Sequence, residues 1–104
     1  SYVYLLEQDQ KKRTIQIAAK FPGLYRADVE LKLSILEKMV PNAKIFAYFK
    51  MGKEKFRGLP LINCRVRIVS PKHNFNISVE GWGVEHATEL AVKKLRRQLG
   101  EVEF

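Results

Sequence analysis

Cysteine is nearly missing from this chain: Cys64 is the only one among 104 residues. A single thiol cannot close an internal disulfide, which points to a reducing compartment. Histidine is almost as scarce, with His73 and His86 alone. A zinc site needs several Cys or His ligands at short spacing, so no metal is expected. No apolar run reaches the roughly 18 residues that argue for a membrane-spanning helix. No signal peptide is visible. The first residue is Ser1, so the chain reads as trimmed or as a fragment, and a removed targeting peptide would leave no trace. Repeats and low-complexity segments are lacking. Gly81-Trp82-Gly83 is too short for a phosphate-binding loop and no Gly-Lys-Ser/Thr follows it. No Ser-His-Asp or Cys-His set can be assembled, and most carboxylates sit beside lysines in helical stretches, where they support the helix. These absences argue against an enzyme. No catalytic residue, cofactor or small-molecule substrate is expected.

What the chain does have is positive charge. Nineteen Lys+Arg face eleven Asp+Glu, for a net charge of +8 and a pI near 9.8. That surplus on a small domain favours a polyanionic partner, and clustering of the cations favours nucleic acid over plain solubility. The apolar fraction of 46% is enough for one core. A membrane-surface binder is disfavoured, because neither helix carries the aromatic anchor of an interfacial segment.

Residues 1–13 read as an N-terminal extension: a half-apolar stretch closed by Lys11, Lys12 and Arg13. Residues 14–104 read as a single RNA-binding domain. Thr14–Ala18 alternates weakly, as a short strand does. From Asp28, a candidate helix cap, Val29, Leu33, Leu36 and Val40 recur at helical spacing, and Pro41-Asn42 ends the run. Lys44–Met51 is a strand with Ile45, Ala47, Phe49 and Met51 inward. Gly52–Pro60 reads as a mobile basic loop. Ile62–Val69 and the stretch after the 70–74 turn alternate between apolar and polar, the mark of an antiparallel sheet covered on one side. Gly81-Trp82-Gly83 then breaks the strand. Val84, Ala87, Ala91, Leu95 and Leu99 form the stripe of a last helix stopped by Gly100. The expected fold class is α+β: a β-α-β-β-β-α two-layer sandwich, with a mainly antiparallel four-stranded sheet and both helices on one face. An RNA-recognition motif would need a further strand, and only Glu101–Phe104 remain.

Three groups of cations are candidate RNA contacts. The first is Lys93, Lys94, Arg96 and Arg97 near the end of the last helix. At about 100° per residue, Lys93, Arg96 and Arg97 share the face opposite Leu95. Cations there also suit the helix macrodipole, and Glu89 with Lys93 has the spacing of an i,i+4 pair, but four cations in five residues exceed what helix stability needs. The second group lies on the sheet's outer face: Arg65, Arg67 and Lys50, beside Phe46 and Tyr48, which could stack on bases. The third is the loop with Lys53, Lys55 and Arg57. Cys64 faces inward and reads as a small buried hydrophobe.

The segment EGWGVEHATELAVKKLRRQL, residues 80–99, resembles the end of the ribosome hibernation-promoting factor family, whose members are also called ribosome-associated inhibitors. The resemblance rests on Glu80, Gly81, Ala87, Leu90, Ala91, Val92, Lys94, Leu95, Arg97, Gln98 and Leu99, on the spacing of the preceding hairpin and on the element order. It is good over residues 44–99. It implies binding of rRNA on the small ribosomal subunit, in the channel used by mRNA and tRNA, so that the ribosome is held idle by occupancy. It implies a basic helix surface at Lys94 and Arg97, joined by Lys38 from the first helix. It also implies a cytoplasmic, ribosome-associated protein, or one of the mitochondrial matrix if a targeting peptide was removed. Residues 28–99 also resemble a degenerate double-stranded-RNA-binding domain, through Ala87, Leu90, Ala91 and Leu95 and the SPKHNF turn. The Lys-Lys pair that opens that domain's last helix is missing, with Glu85 and His86 in its place. That resemblance implies a module docking duplex RNA within a ribosome or an RNA-processing protein.

Overall fold

Alternation of apolar and polar residues commits the middle of the chain to strands with one wet face, and helical spacing on either side supplies the cover. The computed structural model describes residues 14–40 and 42–100. In chain order it runs β1 (Ile15–Ala19), α1 (Arg26–Met39), β2 (Lys44–Phe56), β3 (Leu59–Val69), β4 (Asn74–Trp82) and α2 (Val84–Leu99). This is the expected β-α-β-β-β-α order. The extension placed at residues 1–13 lies outside the described residues.

The strands stand in the order β1-β2-β3-β4. β1 pairs parallel with β2, and the other pairs are antiparallel. A parallel pair needs a crossover, and α1 provides it. Ile15 and Ile17, Ile45, Ala47 and Phe49, then Ile62, Cys64, Val66 and Ile68 all fall on the inner face and are buried. Val29, Leu33 and Leu36 of α1 pack over them, with Ala87, Ala91, Leu95 and Leu99 of α2. Each fully buried Leu, Ile or Phe contributes roughly 1.5–3 kcal/mol. The one buried polar side chain among the described residues, Thr88, is satisfied within its helix, where its hydroxyl donates to the Val84 carbonyl at 2.7 Å. Close approach of α2 to the sheet depends on Gly81. A Cβ there would stand 2.9 Å from the backbone of Ala87.

Several local expectations are corrected. The stretch read as a mobile loop is a hairpin: β2 continues to Phe56, β3 begins at Leu59, and only Arg57-Gly58 turn. Both turn residues have positive φ, 52° and 80°, the handedness that matches the twist of a two-residue hairpin. Backbone pairing does not require apolar side chains, so the strands continue where the alternation stops. Met51, expected inward, still pairs with the buried Ile62 but is 43% exposed, and past it the register shifts between Met51 and Lys55. α1 begins two residues before Asp28. Its cap residue is Tyr25, which makes no side-chain capping bond, and Asp28 lies in the first turn instead. β4 runs through Gly81 to Trp82, and Gly83, with φ 89°, makes the break.

Candidate nucleic-acid interface

The two helices lie side by side and point the same way. Leu24, Tyr25 and Asp28 at the start of α1 line one hollow with Val84 and Glu85 at the start of α2. Further along, Leu31, Lys32, Ile35 and Met39 line a groove of about 670 Å³ with Glu89, Val92, Lys93, Arg96 and Arg97. Periodicity explains the second set: residues 89, 92, 93 and 96 fall on one flank of α2, just off the buried Ala91–Leu95 stripe. The groove has an apolar floor and a basic rim, at the end where both helix dipoles are negative.

Charges in this groove are unequal. Lys32 bonds to Glu89 at 3.1 Å and lies 3.8 Å from Glu85. The hydrogen bond to Glu89 is the main cause holding its ammonium above the ordinary value, reinforced by the charges of Glu89, Glu85 and Asp28 and opposed by desolvation. Glu89 is therefore engaged across the groove, and the i,i+4 pair expected between Glu89 and Lys93 is not made. No carboxylate among the described residues forms an ion pair with Lys93, Lys94, Arg96 or Arg97, and all four are exposed. Lys93, Arg96 and Arg97 share the groove. Lys94 and Lys38 are exposed on their helices but outside its lining.

On the opposite side of the molecule, strand register sets a second basic surface. Arg67 stands across from Phe46 and Arg65 across from Tyr48. The Arg67 guanidinium carbon lies 5.2 Å from the Phe46 ring centre, a cation–π distance. Lys50 pairs across with Asn63, and a hollow of about 280 Å³ is lined by Lys20, Tyr48, Lys50, Asn63 and Arg65. Next to it a shallow hollow brings in Lys53 with Glu54, Leu61 and Glu80. Lys55 is exposed on the hairpin, outside both hollows. Arg57, at the tip, lies 5.2 Å over the Phe56 ring. The first and second cation groups of the sequence are thus held on opposite layers, and of the third only Lys53 lines a hollow with the second.

Two participants escaped the sequence reading. Lys20 continues the outward parity of Gln16 and Ala18 just past the end of β1, so carrying the alternation two residues further finds it. Lys32 carries no such signal, because only the packing of α1 on α2 brings it to Glu89. Cys64 is fully buried as expected, and burial pushes its thiol up to about 12. Among the described residues no group of three His, Cys, Asp or Glu could hold a metal.

A four-stranded sheet with one parallel edge and two same-way helices on one face is a fold that the chain shares with solved structures. One structure that the chain resembles is a ribosomal subunit interface protein from Coxiella burnetii, with a TM-score of 0.65, 20% identity, and 84% of this chain and 93% of that one covered. Another is the N-terminal domain of Thermus thermophilus Protein Y, with a TM-score of 0.57, 19% identity, and 84% and 92% covered. At these identities the likeness is one of fold. No curated protein matches the chain in sequence. The family is set by residues 26–103, which match the model of the hibernation factor Hib, C-terminal domain. The chain belongs to this hibernation factor family, the first of the two resemblances read from its sequence.

Proposed function

We propose that this protein is a ribosome-associated hibernation factor that binds rRNA of the small subunit and acts by occupancy, without chemistry. The observation that carries the reading is the groove between α1 and α2, where Lys93, Arg96 and Arg97 stand exposed and form no ion pair among the described residues, on a chain of the hibernation factor family. Cations that no described carboxylate engages can meet phosphates without breaking an ion pair to those residues. An RNA backbone crossing the groove would meet three of them, with Lys94 and Lys38 at its margins. The apolar floor of Ile35, Met39 and Val92 would lie against ribose. The protein is read as cytoplasmic and ribosome-associated.

Sedimentation tests this directly: the protein is expected to travel with small ribosomal subunits in a gradient. Binding carried by six or more phosphates should fall roughly a thousandfold or more between about 50 and 200 mM salt. Arg96→Glu with Arg97→Glu should leave the fold intact, since both side chains are exposed, and remove the protein from the subunit fraction. Unchanged sedimentation of that double variant, or association indifferent to salt, would sink the reading. Preferential binding of free duplex RNA would favour the duplex-docking alternative.

A further inference from the structure

We propose that the outer face of the sheet, from Phe46 to the tip of the β2–β3 hairpin, binds single-stranded RNA by stacking its bases on aromatic side chains. The proposal adds a second RNA surface to the groove reading and stands without it.

Its chemistry follows from the register. Phe46 and Tyr48 are successive outward residues of a central strand, each with an arginine directly across, Arg67 and Arg65. Both rings are half-buried and both arginines are exposed. Aromatic rings on the central strands of a four-stranded sheet, with cations beside them, are what unpaired bases need: a ring to stack on and a charge for the neighbouring phosphate. A base held in a duplex cannot use such a platform, because its faces are already stacked. Lys20, Lys50 and Lys53 extend the positive charge along the hollows on this face. Glu54 and Glu80 are the carboxylates that share it, and they leave a cationic surplus.

The hairpin supplies the far end of the track. Phe56 is 51% exposed, and its ring lies 5.7 Å from that of Trp82, tilted by 37°. Arg57 covers Phe56 from the turn. Arg57 does so from a backbone conformation, φ 52°, that residues other than glycine rarely adopt and that turns of this kind usually give to asparagine. A strained arginine at an exposed tip is the kind of backbone outlier that marks a working site. Among the described residues no helix or strand covers this face.

Trp82 is the only tryptophan in the chain, so its fluorescence reports on this site alone. The full chain would be titrated with a ten-nucleotide single-stranded RNA of mixed sequence and with a duplex of the same length. Saturable quenching is expected, with the single strand binding at least tenfold more tightly. Phe56→Ala keeps the reporter and should weaken binding by roughly five- to a hundredfold, the change expected for losing one base–aromatic stack. Arg67→Ala should weaken it and lower the salt slope. Circular dichroism of each variant checks the fold. A Trp82 signal that does not respond, equal affinity for duplex, or binding unmoved by Phe56→Ala and Arg67→Ala would overturn the proposal. So would loss of quenching in the Arg96→Glu, Arg97→Glu variant, which would place the oligonucleotide in the helix groove. Quenching without sedimentation on ribosomal subunits would leave this surface standing and defeat the hibernation reading instead.

Discussion

Cys64 and Gly81 are each fixed by what surrounds them. Cys64 sits mid-sheet with no exposure, so its thiolate has no water to stabilise it and the thiol stands near 12. It should resist an aromatic disulfide reagent at pH 8 in the folded protein and react at once in denaturant. Fast reaction without denaturant would mean that the sheet opens there. Because the folded thiol holds its proton more tightly than the unfolded one, its contribution to stability is complete below about pH 8.5 and declines as pH rises toward 12. Urea titrations at pH 8 and 10.5 should therefore show a steeper alkaline loss for the wild type than for Cys64→Ala. At Gly81 a methyl group would stand 2.9 Å from the Cα and N of Ala87. Backbone atoms of a helix cannot step aside singly, so Gly81→Ala should cost about 1–3 kcal/mol, the range for overpacking. An unchanged urea midpoint would show that α2 can lift off β4 freely.

The hairpin is the element in which local cost and sheet geometry conflict. Arg57 in the left-handed region costs roughly 1–2 kcal/mol, and Asn-Gly is the sequence this turn prefers. Arg57→Asn should raise stability by about 1 kcal/mol, a melting-point gain of roughly 4–8 °C for a domain of this size. If the melting point falls, the guanidinium over Phe56 outweighs the strain. This hairpin also marks where the sequence stops being legible. Strands β3 and β4 could be read from strict alternation, and α2 from its Ala87–Ala91–Leu95–Leu99 stripe, because burial on one side imposes a period. From Gly52 to Gly58 no side is buried: every residue is exposed, and the ladder is held by backbone bonds that leave no trace in residue type. The same reasoning covers the interface. The α2 cations could be grouped from helical geometry alone. That Glu89 would turn to Lys32 rather than Lys93 depends on a helix–helix contact that no spacing encodes, and the start of α1 at Arg26 lacks the capping residue that would have announced it.

Across the described residues, the two-layer build places the helix-groove cations and the sheet-face cations on surfaces that share no lining side chain. Mutations on one surface should then act independently of those on the other, adding to within about 0.5 kcal/mol. Combining Arg96→Glu and Arg97→Glu with Arg67→Ala, and measuring ribosome association for each set, tests that independence. Strong non-additivity would mean that a single RNA path wraps both layers. The opposite placement of the surfaces also bears on departure from the ribosome. A body gripped from two sides leaves only when both contacts are open together, since either one alone keeps the other at high effective concentration. Residence time, more than the rate of arrival, would then set how long a ribosome stays silent. Restart would call for something that pries one layer loose, because dilution alone would act slowly.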